Sequence, residues 1–361
     1  EFHAHTNMST MDALPEVEKI VATVFVFGLL VFVHELGHFI TAKLTGMRVD
    51  EFAIGFGPRL VHFRYGETVY SIRLVPLGGF NDIAGMAADD NDAGDRGYCR
   101  KPILSRMIVI LAGSAMNFIL PIILFFGIFF FAGVQTPNPA PVLGKVLADN
   151  PAAQAGLMAN DRILAIDGKP IETWQEMVDA IRTNHGTVPM TMQVERNEQE
   201  LTVSVTPHYD ASQQRGYIGI VNAYTSTYPG FFQSISMAFE RTGMIVVMML
   251  DALYRIILEL SGSELAGPIG VAQMAGEVAE MGIVPLLNFA ALLSLNLAII
   301  NLLPVPALDG GHFLTLCVEA VRGKPLSPKV MHYIQNAGVG LIILLMLLAM
   351  KNDVVRIFAG G

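Results

Sequence analysis

Charged residues and cysteine are scarce in this chain. Only 15% of its 361 residues are charged, and 23 Lys and Arg against 32 Asp and Glu give a net charge of −9. Because the chain has no basic patch to neutralise phosphates, a nucleic-acid partner is not expected. The two cysteines, Cys99 and Cys317, lie far apart and support neither a disulfide framework nor a cysteine-based zinc site.

Long apolar runs take the place of charge. The chain is 52% hydrophobic, with a mean hydropathy of +0.49. A helix needs about 20 residues to cross a hydrocarbon core of ~30 Å. Four segments meet that length, at residues 18–43, 106–134, 283–303 and 331–350. We therefore predict a polytopic α-helical membrane protein with four transmembrane helices in a lipid bilayer.

Basic residues between the apolar segments predict the orientation of the chain. The loop after the first segment carries Arg48, Arg59, Arg64, Arg73, Arg96, Arg100 and Lys101, and the loop after the third carries Arg322, Lys324 and Lys329. The positive-inside rule places both loops in the cytoplasm. Both termini and the long insert after the second segment are then expected outside. We expect no cleavable signal peptide, because the first apolar segment has an acidic flank.

The run VFVHELGHF at residues 31–39 carries the chemistry. In a helix, His34 and His38 lie on one face, close enough for both imidazoles to bind one metal ion. Glu35 is offset by one position, so it reaches a water in the open site of the metal without being a ligand. Because ionisable groups at membrane depth usually serve function, the run predicts a zinc hydrolase site within a membrane helix.

A third metal ligand is expected from NLLPVPALDGGH at residues 301–312. Asp309 follows an apolar segment there, at the predicted cytoplasmic end where the two histidines also lie. Gly310 and Gly311 permit close backbone approach or positive φ beside the metal. Pro304 and Pro306 prevent a regular helix and leave backbone groups free to bind. His312 is interpreted as a non-ligand.

The insert has the pattern of a small α/β domain. Alternating segments at 142–146, 162–166, 189–195 and 200–205 predict strands, and 174–182 predicts a helix. The stretch NPAAQAGLMANDRILAIDGKPI resembles the PDZ domains of bacterial proteases, which bind extended peptides at a sheet edge. A rigid spacer that binds nothing is the alternative. In residues 231–260, charges recur every four positions and predict an amphipathic helix in the membrane interface.

In order and spacing, these motifs resemble the site-2 proteases, a family of intramembrane zinc metalloproteases, and most closely the bacterial regulator-of-sigma-factor branch. The resemblance implies one zinc ion held by His34, His38 and Asp309, with Glu35 as the general base. It also implies that Asn296 and Asn301 hold the substrate backbone, although such residues often only join membrane helices. The second span departs from the family pattern, because Ser114 stands at a usual proline position, which puts the role of Asn117 in doubt.

The resemblance further implies a loop that dips into the membrane as a β-hairpin near the metal. Its contact residues are expected in the alternating run from Tyr70 through Ile72 to Leu74 and at Gly78 and Gly79. We expect the run to act as a sheet edge that pins an unwound substrate.

The expected organisation has five parts: a tag or N-terminal extension, a first membrane half, an extracytoplasmic PDZ domain, an interfacial helix with linker, and a second membrane half. Their ranges are 1–16, 17–134, 135–210, 211–282 and 283–361.

The resemblance implies an endopeptidase of the bacterial cytoplasmic (inner) membrane. Its substrates would be single-span proteins, such as anti-sigma factors or remnant signal peptides, with the PDZ domain serving as a size filter or a docking site for substrate ectodomains. Two alternatives differ in class. A catalytically silent PDZ receptor with a structural zinc site would lack a ligand or the base. A metal transporter would have more polar residues along its spans.

Overall fold

Four helices of the protein are long and apolar enough to cross a membrane. The computed structural model describes residues 2–86, 94–184, 188–210, 215–259 and 267–358. The segments with spanning length and composition are Lys19–Leu44, Ile103–Ala132, Ile283–Leu302 and Lys329–Lys351. The four predicted spans are therefore confirmed, by length and composition.

Nine α-helices lie in the described ranges. In chain order they are α1 Phe2–Leu44, α2 Ile103–Gly127, α3 Pro151–Gln154, α4 Trp174–Thr183, α5 Phe231–Glu259, α6 Pro268–Glu280, α7 Ile283–Leu302, α8 Asp309–Arg322 and α9 Pro328–Phe358. The strands are β1 Val49–Tyr65, β2 Thr68–Ile83, β3 Val134–Pro137, β4 Leu143–Val146, β5 Arg162–Ile166, β6 Lys169–Pro170, β7 Met190–Arg196, β8 Gln199–Val205, β9 His208–Asp210, β10 Arg215–Tyr217, β11 Ile220–Asn222 and β12 Tyr224–Thr227. Contacts divide the chain into two compact units, residues 1–130 with 230–361, and residues 131–229.

Small residues let α1 and α2 cross closely. A methyl group at Gly37, inside the HELGH motif, would lie 2.3 Å from the carbonyl oxygen of Ala112, so only hydrogen fits there. Membrane helices use such positions because their packing depends on close contact rather than on exclusion of water. On the same bundle, Val26 and Leu30 of α1 pack against Leu120 of α2 and Ala290 of α7. The histidines of α1 are thereby held beside α2.

The turn between α7 and α8 has the shape that its prolines predict. α7 ends at Leu302 and α8 begins at Asp309, so Pro304 and Pro306 lie in a non-helical turn. Methyl groups at Gly310 and Gly311 would lie 2.3 Å from the carbonyl oxygens of Leu302 and Val305, respectively. The two glycines therefore allow α8 to approach its own turn, and positive φ is found at Ala307 instead.

A hairpin of β1 and β2 folds back on itself beside α1. Residues 51–54 of β1 pair with 69–72 on one side and 79–82 on the other, while 59–65 pair with 68–73. Tyr70 and Ile72 therefore lie in an interior strand with neighbours on both sides. The prediction that the run from Tyr70 to Leu74 forms a free edge is wrong for this reason. That the hairpin enters the membrane stays a prediction.

The unit at residues 131–229 contains the predicted α/β elements. The strands β4, β5, β7 and β8 and the helix α4 match the predicted segments to within one residue. β6, β5, β7 and β8 form one antiparallel sheet, and Asn197 and Glu198 turn the β7–β8 hairpin with positive φ. The unit extends past the predicted boundary at 210, because β11 pairs with β4 and β12 with β3.

The amphipathic segment forms α5, and its residue 260 lies outside the described residues. Ala238 and Ile245 of α5 pack against Phe125 of α2 and Leu295 of α7, so one face of the helix is buried in the bundle. Asp251 and Arg255 form an ion pair farther along the helix. Its placement in the membrane interface stays a prediction.

Candidate active site

Three side chains from α1 and α8 converge as the sequence predicts. The distance from His34 Nε2 to His38 Nε2 is 3.2 Å. Asp309 Oδ2 lies 3.4 Å from His34 Nε2 and 3.6 Å from His38 Nε2. These are the three residues whose ligand atoms cluster closely enough to hold a metal ion within the described part of the chain. His312 is not one of them.

The triangle has the size that a tetrahedral zinc ion requires. Bonds of about 2.0–2.1 Å at tetrahedral angles separate two ligand atoms by about 3.3–3.4 Å. The three observed distances bracket that value. Two nitrogens and one carboxylate oxygen also match the donor set of hydrolytic zinc sites with one coordination position left open. The residues present therefore fit a zinc ion.

α2 supports both histidines from behind. His38 Nδ1 donates to the carbonyl oxygen of Val109 at 2.7 Å, which leaves the lone pair of Nε2 for a metal. Asn117 is fully buried, with Nδ2 3.3 Å from His34 Nδ1 and with Oδ1 unpartnered within the described chain. Turning the amide over lets Oδ1 accept from His34 Nδ1–H, an assignment that heavy-atom positions do not distinguish. Asn117 therefore lies directly behind His34, and its role in the site stays a prediction.

Two further residues of α2 touch the site, and neither follows from the motifs. The buried Ser114 donates its hydroxyl to Asp309 Oδ2 at 3.3 Å. A methyl group at Gly113 would lie 2.3 Å from His38 Nε2 and 2.7 Å from His34 Cε1. Gly113 thus makes room for both imidazoles. The sequence shows Gly113 next to Ser114 but does not predict this contact, because the contact joins different helices.

The hairpin reaches Glu35 through its last strand segment. Asn81 Nδ2 donates to Glu35 Oε2 at 2.7 Å and to the backbone oxygen of Glu35 at 2.8 Å. A methyl group at Gly79 would lie 2.9 Å from Glu35 Cγ. Gly78 has φ of 108° and packs under the Phe56 ring, where a methyl group would clash. Gly78 and Gly79 therefore bring the strand against α1, whereas Tyr70 and Ile72 lie inside the sheet.

A buried carboxylate holds the hairpin together. Glu51 accepts hydrogen bonds from Arg59, Ser71 and Arg73 at 2.5 to 3.1 Å. Burial alone would raise its pKa, but the bonds from Arg59, Ser71 and Arg73 outweigh burial and lower the pKa of Glu51 from 4.5 to about 2. Glu51 is therefore ionised at neutral pH.

A second carboxylate ties the hairpin turn to its surroundings. Glu67 accepts from Arg96 at 2.6 Å and from Lys43 at 2.5 Å, and these bonds lower the pKa of Glu67 to about 2. The turn is thereby fixed to the end of α1.

Asn296 and Asn301 lie on α7 and its last turn. The side chain of Asn296 is exposed and that of Asn301 is half-buried. In the ranges that the structure describes, no hydrogen bond is found for either side chain. Within the described residues, no hydrogen bond joins Asn296 or Asn301 to His34, His38 or Asp309.

Comparison with known proteins gives one consistent family. The sequence profile of peptidase family M50 matches residues 22–345. The chain is 33% identical to the zinc metalloprotease RasP of Geobacillus kaustophilus, over 95% of this chain and 99% of that protein. It is 32% identical to the regulator of sigma-W protease RasP of Bacillus subtilis, over the same shares.

Among solved structures, a PDZ domain of an SdrC-like protein from Listeria monocytogenes is similar to 25% of this chain. The likeness covers 93% of that domain, with 22% identity and a TM-score of 0.22. The family assignment rests on the profile and the two relatives, which span nearly the whole chain. This chain belongs to peptidase family M50, and it is a zinc metalloendopeptidase.

Proposed function

We propose that the protein cleaves transmembrane segments of single-span membrane proteins, with His34, His38 and Asp309 holding one zinc ion and Glu35 as the general base. The observation that carries this proposal is the triangle of ligand atoms, with sides of 3.2, 3.4 and 3.6 Å. His34 and His38 belong to a helix segment of spanning length and composition, so the chemistry takes place at the membrane.

Each side chain of the site has a distinct task. Zinc, when bound, activates a water and polarises the peptide carbonyl. Glu35 accepts the proton of that water and later returns it to the leaving amine. Asp309 and the two histidines hold the ion, while Val109 and Asn117 fix the two imidazoles. The silent-receptor alternative requires a missing ligand or base, and all four residues are present.

The substrate must be unwound before cleavage. In a helix its carbonyl groups are occupied by internal hydrogen bonds and are not open to attack. The segment 79–82 pairs with β1 on one side, and no strand of the described chain pairs with its other side. Gly79 touches Glu35. We place the substrate strand along this edge, instead of along Tyr70 to Leu74, with Asn296 and Asn301 available to the freed backbone groups.

The basic residues in the loops between the spans support an orientation of the chain in the membrane. The basic loops between spans support a cytoplasmic placement for the HELGH end of α1 and the start of α8. The insert and both termini are then outside the bacterial cytoplasmic membrane. Since the regulator of sigma-W protease RasP is named for a sigma-factor regulator, anti-sigma factors are a substrate class to test first, with remnant signal peptides second.

The inserted unit has a groove suited to an extended peptide. A cavity of about 370 Å³ lies between α4 and residues 215–220, lined by Trp174 and Val178 among others. A PDZ-type peptide site fits this position. Replacing residues 131–229 by a short linker separates the two roles of the unit. Cleavage of untrimmed substrate by that variant supports a size filter, whereas weaker cleavage of trimmed substrate supports a docking site.

The proposal is tested by reconstituting the protein with a model single-span substrate and determining product masses. The wild-type chain is expected to cut inside the apolar segment. Glu35→Gln is expected to retain zinc and lose cleavage, because the amide cannot accept the proton. Full activity of Glu35→Gln, or cuts confined to the flanks of the segment, would refute the proposal.

A further inference from the structure

A polar contact joins the hairpin to the proposed general base. Asn81 Nδ2 donates one hydrogen bond to Glu35 Oε2 at 2.7 Å and another to the Glu35 backbone oxygen at 2.8 Å. Both partners are pure acceptors, so the amide group must present its nitrogen to Glu35. The contact links positions that are far apart in sequence, on β2 and α1.

The backbone around Asn81 is fixed independently of this contact. Asn81 pairs with Phe52 of β1, and Gly79 pairs with Ile54. A methyl group at Gly79 would lie 2.9 Å from both Glu35 Cγ and Val31 Cγ1, so a glycine is needed for the strand to lie this close to α1. The amide therefore meets Glu35 from a rigid support rather than from a loose loop.

The hydrogen-bond pattern separates the two oxygens of the carboxylate. Oε2 is held by Asn81, whereas Oε1 receives no hydrogen bond from the described residues. A general base needs one oxygen that is free to take the proton and a carboxylate that does not rotate away from it. The hydrogen bond from Asn81 keeps the carboxylate from rotating, and it leaves Oε1 free to take the proton.

A purely structural role does not account for an asparagine at position 81. Its Oδ1 is buried and has no hydrogen-bond partner in the parts of the chain that the structure describes. A buried acceptor without a partner is destabilising, and an apolar β-branched side chain would suit this strand position better. The two hydrogen bonds that Asn81 Nδ2 donates to Glu35 account for the asparagine at this position.

We propose that Asn81 is a positioning residue that fixes the Glu35 carboxylate for proton transfer, an inference that rests on the proposed role of Glu35. Since general bases contribute about 10²- to 10⁴-fold, we expect Asn81→Val to lower kcat about 10- to 100-fold. KM and the zinc content should stay near the wild-type level, because valine keeps the backbone hydrogen-bonding groups of the edge and the zinc-binding residues are not changed.

The test measures kcat, KM and zinc content of the full-length protein on a model transmembrane substrate. Asn288→Val is the matched control, because it makes the same substitution at an amide that donates to the Val284 carbonyl oxygen of its own helix α7 and not to Glu35. Asn81→Ser, which keeps a donor, should recover part of the kcat. In a Glu35→Asp background the shorter carboxylate no longer reaches Asn81, so Asn81→Val should have little further effect.

The outcomes separate this inference from the function on which it rests. Unchanged kcat in Asn81→Val, or a loss due entirely to KM or to zinc, would overturn the positioning role while leaving an inactive Glu35→Gln to support the general base. An active Glu35→Gln would instead refute the role of Glu35 itself. If Asn81→Val fails to fold, Asn81→Ser and Asn81→Thr answer the same question.

Discussion

Gly113→Ala tests the geometry of the metal site by adding a single methyl group beside both histidines. The new methyl group would lie 2.3 Å from His38 Nε2 and 2.7 Å from both His34 Cε1 and His38 Cε1. Ordinary contacts between such atoms are about 3.5 Å, so the imidazole of His38 must retreat by about 1 Å. A zinc–nitrogen bond tolerates about 0.2 Å. The ion therefore loses at least one well-placed ligand.

The expected loss of zinc affinity is at least 100-fold, since removing a residue that merely supports a ligand already costs about 10- to 100-fold. Helix stability should not fall, because alanine favours a helix over glycine by about 1 kcal/mol. Gly127→Ala is the control, on the same helix and with no atom within 4 Å of the added methyl group. Zinc per chain is measured after equilibration with a zinc buffer. A Gly113→Ala protein that binds one zinc ion with wild-type affinity would refute the geometry of the site.

Two further predictions concern the surroundings of the site. Ser114→Ala removes the 3.3 Å hydrogen bond to Asp309 Oδ2 and should weaken zinc binding about 10-fold, as measured by competition with a chelator; unchanged affinity would count against that bond. Glu51 has a pKa lowered from 4.5 to about 2, so its stabilising effect is complete above pH 4.5 and is lost as the pH falls through about 2. The unfolding temperature of Glu51→Gln should therefore depend less on pH than that of the wild type between pH 4.5 and about 2. An equal pH dependence of the two proteins would contradict the lowered pKa of Glu51.

The sequence alone predicts the spans and the zinc ligands because both depend on local patterns. An apolar run of sufficient length is a helix that can cross a membrane, and HELGH places two histidines on one face of it. Asp309 could be added because the prolines and glycines around it mark a break at the end of a span. The structure has four helices of spanning length within three residues of the predicted bounds, and it brings His34, His38 and Asp309 together; their role as zinc ligands stays a prediction.

Contacts between distant elements could not be predicted in the same way. Asn81 reaches Glu35, and Ser114 reaches Asp309, only because the hairpin and α2 pack against α1 and α8. The alternating run from Tyr70 to Leu74 correctly predicts a strand, but alternation says nothing about its neighbours, and the strand proves to be interior. The short strands β9 to β12 also lack a pattern of their own, so the sequence alone places the end of the insert too early.

The most direct test of the central claim is X-ray absorption at the zinc edge of the purified protein. The site described above predicts two imidazole nitrogens and carboxylate or water oxygen at about 2.0–2.1 Å, with no sulfur neighbour. Asp309→Ala should lose one protein oxygen from that shell, and His38→Ala one nitrogen. Sulfur from Cys99 or Cys317 in the shell, or a wild-type spectrum from His38→Ala, would contradict the claim that α1 and α8 together hold the catalytic zinc.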